Sequence, residues 1–289
     1  MVFNFSIEKY PFQEKESEKR WEGDGFAVKK WLESIDFPRI YVIIYSMEKQ
    51  SEIVEFLGRE PLLYADVAEG LRRGLVRVLF VSDCALLAIN TAGFYLLCST
   101  DLTGACTALR SLPTGELSGK LLIAHGNAAR EAALSALSVE RETKCWQGVY
   151  QGKELPLKGE LCFLPPDDNA VRMMQAVYRL ETPETIEKMA KAGEILAAYL
   201  PDAENERKDF VGFIGSHADG SMGMLHVFDD YRRRGFAEEI ESMQINLWLK
   251  KGWLPFGHVI DGNDASYRLQ QKLGMSFATE WVTWMRIKE

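Results

Sequence analysis

Short apolar runs of period two alternate along this chain with longer stretches of period three to four, a pattern that predicts a mixed α/β protein. Helices are expected over Gln50 to Leu57 and Ala65 to Arg73, then strands over Val76 to Val81, Cys84 to Ile89 and Gly93 to Cys98. A helix Leu102 to Leu112, a strand Lys120 to Ala124, a helix Ala128 to Leu137 and a strand Lys144 to Tyr150 follow. After the apolar run Leu161 to Leu164, helices Ala170 to Leu180 and Pro183 to Ala192 lead to strands Ile195 to Leu200, Phe210 to Gly215 and Met222 to Phe228. From Phe236 to Leu249 the residues Phe236, Ala237, Ile240, Met243, Leu247 and Trp248 recur every three or four positions, which is a helix with one buried face. Pro255 to Asp261 reads as a short buried strand, and the helix after Gly262 closes on the glycine stop Gly274. At the start, Arg39 to Tyr45 reads as a strand and Glu14 to Trp21 as a helix or solvated segment.

The order of elements is the same in both halves: helix, three strands, helix, strand, helix, strand. A tandem repeat is the expectation, echoed by Gly126-Asn127-Ala128-Ala129 and Gly262-Asn263-Asp264-Ala265 at matching junctions. The polar, Gly- and Pro-bearing stretch Gln151 to Gly159 marks the boundary. The expected division is 1–150, a connector 151–158, and 159–289, with a mostly antiparallel central sheet flanked by helices.

A chain of 289 residues, 47% hydrophobic and 26% charged, is long enough for two such cores. Its net charge of −8 disfavours nucleic acid and anionic lipid as partners. No apolar run reaches the ~18 residues of a membrane span, and the cytoplasm is the expected location. The five cysteines (84, 98, 106, 145 and 162) have neither paired spacing nor histidine partners for a metal, and read as reduced core thiols.

Candidate chemistry concentrates where the strand ending at Phe228 runs through Asp229-Asp230-Tyr231 into Arg232-Arg233-Arg234-Gly235-Phe236-Ala237. The first N–H groups of the helix that starts there lack intrahelical partners and carry the positive end of its dipole, so the junction is suited to an anion such as a pyrophosphate. Gly235 lets backbone approach the ligand, Ala237 keeps the next turn slim, and the three arginines add positive charge.

With the downstream run Asn263-Asp264-Ala265-Ser266-Tyr267-Arg268-Leu269-Gln270-Gln271-Lys272-Leu273-Gly274-Met275, this junction resembles two motifs of the GNAT superfamily of acyl-CoA N-acyltransferases. Trp253-Leu254-Pro255-Phe256-Gly257 is most similar to the glycine N-acyltransferase-type branch and its bacterial relatives. The resemblance spans about the last 130 residues, the usual size of one domain. It implies acyl-CoA, expected to be acetyl-CoA, as co-substrate and a small amine as acceptor, the amine attacking the thioester in a ternary complex. It further implies that Leu225, His226, Val227 and Phe228 pair with the pantetheine arm, that Arg232 to Ala237 hold the pyrophosphate, and that Asn263, Ser266 and Gln270 line the coenzyme. Many relatives carry a tyrosine where this chain has Gln270, and its hydroxyl protonates the leaving thiolate. Gln270 has no proton to give near neutral pH, which leaves the acid open between Tyr267, Ser266 and a thiolate that departs unprotonated.

For the base, His226, His217 and His258 are candidates, because imidazole titrates near working pH. Asp229 and Asp230 are expected to shape the turn before the arginines, with an incoming ammonium as the alternative partner of Asp230. Of Trp281 and Trp284 one is expected in the core, and the other either there too or on the floor of an acceptor pocket. At the matching junction of the first half, Ser99 to Ala105 lacks the arginine and adds Asp101, so that half is expected not to bind coenzyme. A non-catalytic acyl-CoA-binding or regulatory protein is the alternative, as is a larger acceptor site built from both halves.

Overall fold

The computed structural model describes residues 47–201 and 209–289. The strand expected over Arg39 to Tyr45 and the segment Glu14 to Trp21 lie outside the described residues.

The first half runs α1 (Met47–Leu57), α2 (Ala65–Arg72), β1 (Val76–Val81), β2 (Ala85–Asn90), β3 (Tyr95–Ser99), α3 (Leu102–Arg110), β4 (Leu121–His125), α4 (Gly126–Ala136) and β5 (Val139–Val149). The second continues with β6 (Cys162–Leu164), α5 (Asp168–Val177), α6 (Pro183–Lys191), β7 (Ile195–Leu200), β8 (Asp209–Ser216), β9 (Met222–Val227), α7 (Phe236–Lys250), β10 (Phe256–Ile260), α8 (Asp264–Lys272), β11 (Ser276–Phe277) and β12 (Val282–Ile287). Buried apolar alternation drives the strands, and side-chain caps start several helices. Asp101, Asp167, Thr182 and Asn263 each accept a backbone N–H of the helix they precede.

All strands join one sheet, in the order β1-β2-β3-β4-β12-β5-β10-β9-β8-β7-β6, with β11 beside β5. Only β3–β4 and β9–β10 are parallel; the other pairings are antiparallel. The C-terminal strand β12 lies between β4 and β5, while β5 continues past it to pair with β10, Cys145 opposite Ile260 through Val149 opposite Phe256. β5 begins at Val139 rather than near Lys144, because its first residues are exposed and polar but still paired to β12.

A buried polar chain crosses the same seam. The Asp66 carboxylate in α2 holds His125 Nε2 at 2.8 Å, and His125 Nδ1 faces the Leu97 carbonyl at 3.3 Å. Burial disfavours the charged imidazole of His125, but the Asp66 carboxylate outweighs it and holds the ring well above its ordinary range. His258 in β10 lies 3.9 Å from the same Asp66 and 3.4 Å from Asp219 in the β8–β9 turn. At 3.4 Å the His258 and Asp219 atoms attract as charges without closing a sound hydrogen bond. Burial raises the Asp219 carboxyl, and His258 outweighs it, leaving the group lowered to about 2.

Breaking a buried pair leaves an uncompensated charge and costs about 3–5 kcal/mol. Asp66→Asn is therefore expected to lower stability by that order, measured by urea unfolding at pH 7. Because the folded Asp219 pKa of about 2 lies below the ordinary 3.8, its contribution is present above about pH 4 and fades as pH falls toward 2. The unfolding midpoint is expected to drop through that window.

Candidate functional site

Two adjacent parallel strands part company at the site. β10 pairs with β9 at one position only, Gly257 opposite Met222. Beyond it, Met224 adopts a left-handed φ of 58° and the β8–β9 register shifts between Phe213 and Gly215, a bulge that turns β9 away. From Gly223 to Val227 the β10-facing edge of β9 has no strand beside it. Phe228 N–H donates to the Val211 carbonyl on the β8 side, so the alternating backbone of Val227 faces the opened side. The Val227 carbonyl there accepts Arg232 Nε at 3.0 Å.

The turn after β9 ends at the head of α7. Arg233 has a φ of 62° and Gly235 of 85°, so two left-handed residues within three curl the backbone into a concave turn. A left-handed conformation is strained for an arginine, and such strain persists where the surrounding structure imposes it. No side chain caps α7. Arg232 reaches back to Asp229 at 2.8 Å, Arg234 lies over the Phe236 ring at 4.7 Å, and Arg233 is exposed.

A fourth cation stands at this helix head. Lys158 Nζ lies 2.5 Å from the point a β-carbon on Gly235 would occupy, and its one carboxylate neighbour, Glu238, is 3.9 Å away. The segment that carries it is clamped along α7. Leu155 exchanges two hydrogen bonds with Asn246, at 2.7 and 2.8 Å, and the Glu239 carboxylate accepts Gly159 N–H at 2.9 Å. These bonds correct the single-faced helix expected from sequence. Glu239, Glu241, Ser242, Gln244 and Asn246 are buried alongside Phe236, Ile240, Ile245 and Trp248; the connector covers Glu239 and Asn246, and Gln270 of α8 meets Glu241.

The first half differs from the second at the positions the element order puts in parallel. β3 and β4 stay paired from Tyr95 opposite Leu122 to Cys98 opposite His125. The start of α3 is closed by its own Asp101, which accepts Gly104 N–H at 2.7 Å. The start of α4 is closed by Glu280, which accepts Asn127 N–H at 2.6 Å.

Among the candidate bases, His258 is committed elsewhere. Its Nε2 lies 2.6 Å from Gln147 Oε1, whose amide is oriented by donating to the Leu62 carbonyl, and its Nδ1 faces Asp219. Both nitrogens are thus turned to these two side chains. His217 Nδ1 lies 3.4 Å from Glu181, and its ring covers Gly223. His226 stacks on Phe213 at 5.5 Å and meets Phe228 edge-on at 5.2 Å. Burial, then the Arg232 charge, pushes its imidazole below the ordinary 6.5, into the neutral form that accepts protons. Leu225 and Val227 pack instead with Phe236, Ile240 and Ala237.

On α8, Asn263 caps the helix through Ser266 N–H at 3.3 Å. Tyr267 stacks on Phe277 with ring centres 4.3 Å apart and leans toward Trp146. Gln270 is buried over Gly148 and Gly257. Trp284 packs against the core while Trp281 lies against Trp146, ring centres 3.7 Å apart and the planes tilted by 39°; Trp281 precedes β12 rather than sharing the strand. The cysteines are free, but only Cys98 and Cys145 are buried; Cys84, Cys106 and Cys162 keep partial exposure, which corrects their reading as core thiols. Sequence reasoning missed Lys158, hidden in a Pro- and Gly-bearing connector, and Glu241, a carboxylate among apolar neighbours on α7.

Residues 203–283 match the family model described as FR47-like protein. A search of curated proteins finds no match. Among solved structures, a Drosophila protein superposes with a TM-score of 0.54 at 12% identity, covering 91% of this chain and 96% of its own. A GCN5-related N-acetyltransferase from Sphaerobacter thermophilus gives 0.45 at 13% identity over 82% and 91% of the chains. A tandem GNAT protein from the clavulanic acid biosynthesis pathway gives 0.40 at 12% over 91% and 95%. The architecture is thus mixed α/β, with a large, mostly antiparallel sheet flanked by helices, and the FR47-like match lies in its second half. Among the described residues no helix is long and apolar enough to cross a membrane.

His226 is expected to titrate below 6.5 by NMR of the folded chain, and Arg232→Ala to bring it back toward that value. A histidine titrating above 6.5 contradicts the buried, cation-flanked placement.

Proposed function

We propose that the protein is an N-acyltransferase that moves an acyl group, acetyl being the expected one, from acyl-CoA to a small amine. The observation that carries this reading is the opening of β9 from β10 directly before an uncapped helix head surrounded by Arg232, Arg233, Arg234 and Lys158. A lysine at the positive end of a helix dipole is unfavourable by itself and becomes favourable once an anion lies between them. A diphosphate with a flexible thioester arm matches both parts, its charge at Gly235 and its arm along β9.

In this reading the exposed edge of Leu225 to Phe228 pairs with pantetheine, and a backbone N–H of the opened edge of β9 stabilises the developing oxyanion. Arg232 to Ala237 hold the pyrophosphate; Asn263 and Ser266 border the arm from the α8 side. His226, neutral and half-buried, takes a proton from the incoming ammonium, and the rest of the rate comes from orientation. Tyr267 is held among aromatic rings, which makes it a pocket wall more readily than an acid. The first half, with its closed strand pair and carboxylate-capped helices, is a degenerate repeat that frames the site without binding coenzyme. The glycine N-acyltransferase-type branch remains the resemblance of choice for the second half, with a small-molecule amine as acceptor and no nucleic acid or membrane partner.

Calorimetric titration with CoA tests the reading. Wild type is expected to bind, Gly235→Val to lose binding while remaining folded, and Lys158→Ala to weaken CoA about tenfold with little effect on acetyl-pantetheine, which lacks the diphosphate. Gly235→Val binding as wild type contradicts the cradle. Tight CoA binding without CoA release from acetyl-CoA across a broad amine pool favours a binding or regulatory protein.

A further inference from the structure

Two buried polar side chains beside the last β9–β10 contact each keep one oxygen without a partner. Glu241, in the second turn of α7, is 2% exposed, and its Oε2 has no hydrogen-bond partner. Gln270, facing it from α8, is 6% exposed, and its Oε1 is likewise unpartnered. Their location is set by two glycines. A β-carbon on Gly148 would stand 2.8 Å from Gln270 Oε1, and one on Gly257 would stand 3.5 Å from its Nε2. Gly257 is the residue at which β10 last touches β9. The pair therefore sits at the apex of the opened strands.

Natural proteins leave few buried polar atoms unpaired, since each costs a desolvation penalty, and a protonated Glu241 with no partner at Oε2 has an O–H to offer to a ligand atom. β9 runs about 16 Å from Val227 to Met222 at strand rise, so an arm anchored at Gly235 and lying along β9 brings its far end toward the apex. In the acyl-CoA reading that far end is the thioester sulfur.

We propose that Glu241 is the acid that protonates the departing coenzyme sulfur, with the Gln270 amide orienting its carboxyl. This rests on the acyl-CoA reading. The acceptor ammonium first loses one proton to His226, and the free amine attacks the thioester carbon, forming the C–N bond. The C–S bond then breaks with its electron pair on sulfur, which takes the Glu241 proton. The nitrogen sheds its surplus proton and His226 the one it accepted, both to solvent, while the Glu241 carboxylate regains one, so the cycle releases one proton net. The carboxyl is suited to this role, since burial raises it to about 7, the Gln270 amide offsets part of that rise, and no charged side chain contributes. The acid thus resides on α7, across the cleft from the α8 position where relatives carry tyrosine.

The test uses the full chain with CoA itself and needs no acceptor. The bound thiol is titrated by its thiolate absorbance in wild type, Glu241→Gln and Glu241→Met. Beside an ionised Glu241 the thiol is expected to titrate at least one pH unit higher in wild type than in either variant, a tenfold difference in its ionisation constant. Both variants remove a carboxyl that burial disfavours when charged, so they are expected to melt at higher temperature than wild type at pH 8. Identical thiol titration in all three proteins overturns the assignment of Glu241 while leaving CoA binding intact. Failure of wild type to bind CoA overturns the acyl-CoA reading and this inference with it.

Discussion

A parallel strand pair normally holds together through evenly spaced backbone bonds along its length, yet β9 and β10 share one register position and then diverge. The left-handed Met224 and the register shift opposite it commit β9 to its β8 side, and Gly257 accepts the close approach to the Met222 carbonyl that the last contact requires. A row of backbone donors and acceptors thereby opens inside a sheet rather than at its rim. Because the chain continues from β9 into α7, that row leads to a helix head with unpaired N–H groups. In the proposed reading, both halves of an elongated, anionic ligand are addressed by one departure from regular strand pairing.

Such an opening weakens a sheet, and the fold reinforces it on either side. β5 runs on to pair with β10, β12 lies between β4 and β5, and the Asp66–His125 and His258–Asp219 contacts cross the seam beneath the apex. The connector is part of the reinforcement, since Asn246 and Glu239 fasten it along α7. The same fastening brings Lys158 to the helix head. In the first half, where β3 and β4 keep four register pairs, Asp101 and Glu280 occupy the corresponding helix starts. The contrast is one of chemistry on a shared order of elements: carboxylates close one pair of helix heads, and cations gather at the other's α7.

Much of this was legible in the residues. Strands Val76–Val81 and Ile195–Leu200 match their apolar runs, and the Arg232–Ala237 junction announced itself by charge and glycine. Polar strand residues were not legible: Glu140 to Glu142 look like loop but are held by β12, a partner more than 140 positions away. No periodicity reveals that a C-terminal strand enters between β4 and β5. The commitment of His258 was equally hidden, since its partners come from α2, β5 and the β8–β9 turn. Lys158 and Glu241 carry no local signal either. A lysine in a connector and a glutamate on a helix are both expected at the surface, and only tertiary packing brings one to a helix head and buries the other.

The central claim, that the opened edge of β9 and the head of α7 together hold a thioester coenzyme, is tested most directly by amide hydrogen exchange of the full chain with and without CoA. The account predicts slowed exchange at Val227 and at Phe236 to Glu238, with residues 99–105 of the first half unchanged. Protection confined to the first half, or none at Val227 with CoA bound, contradicts it.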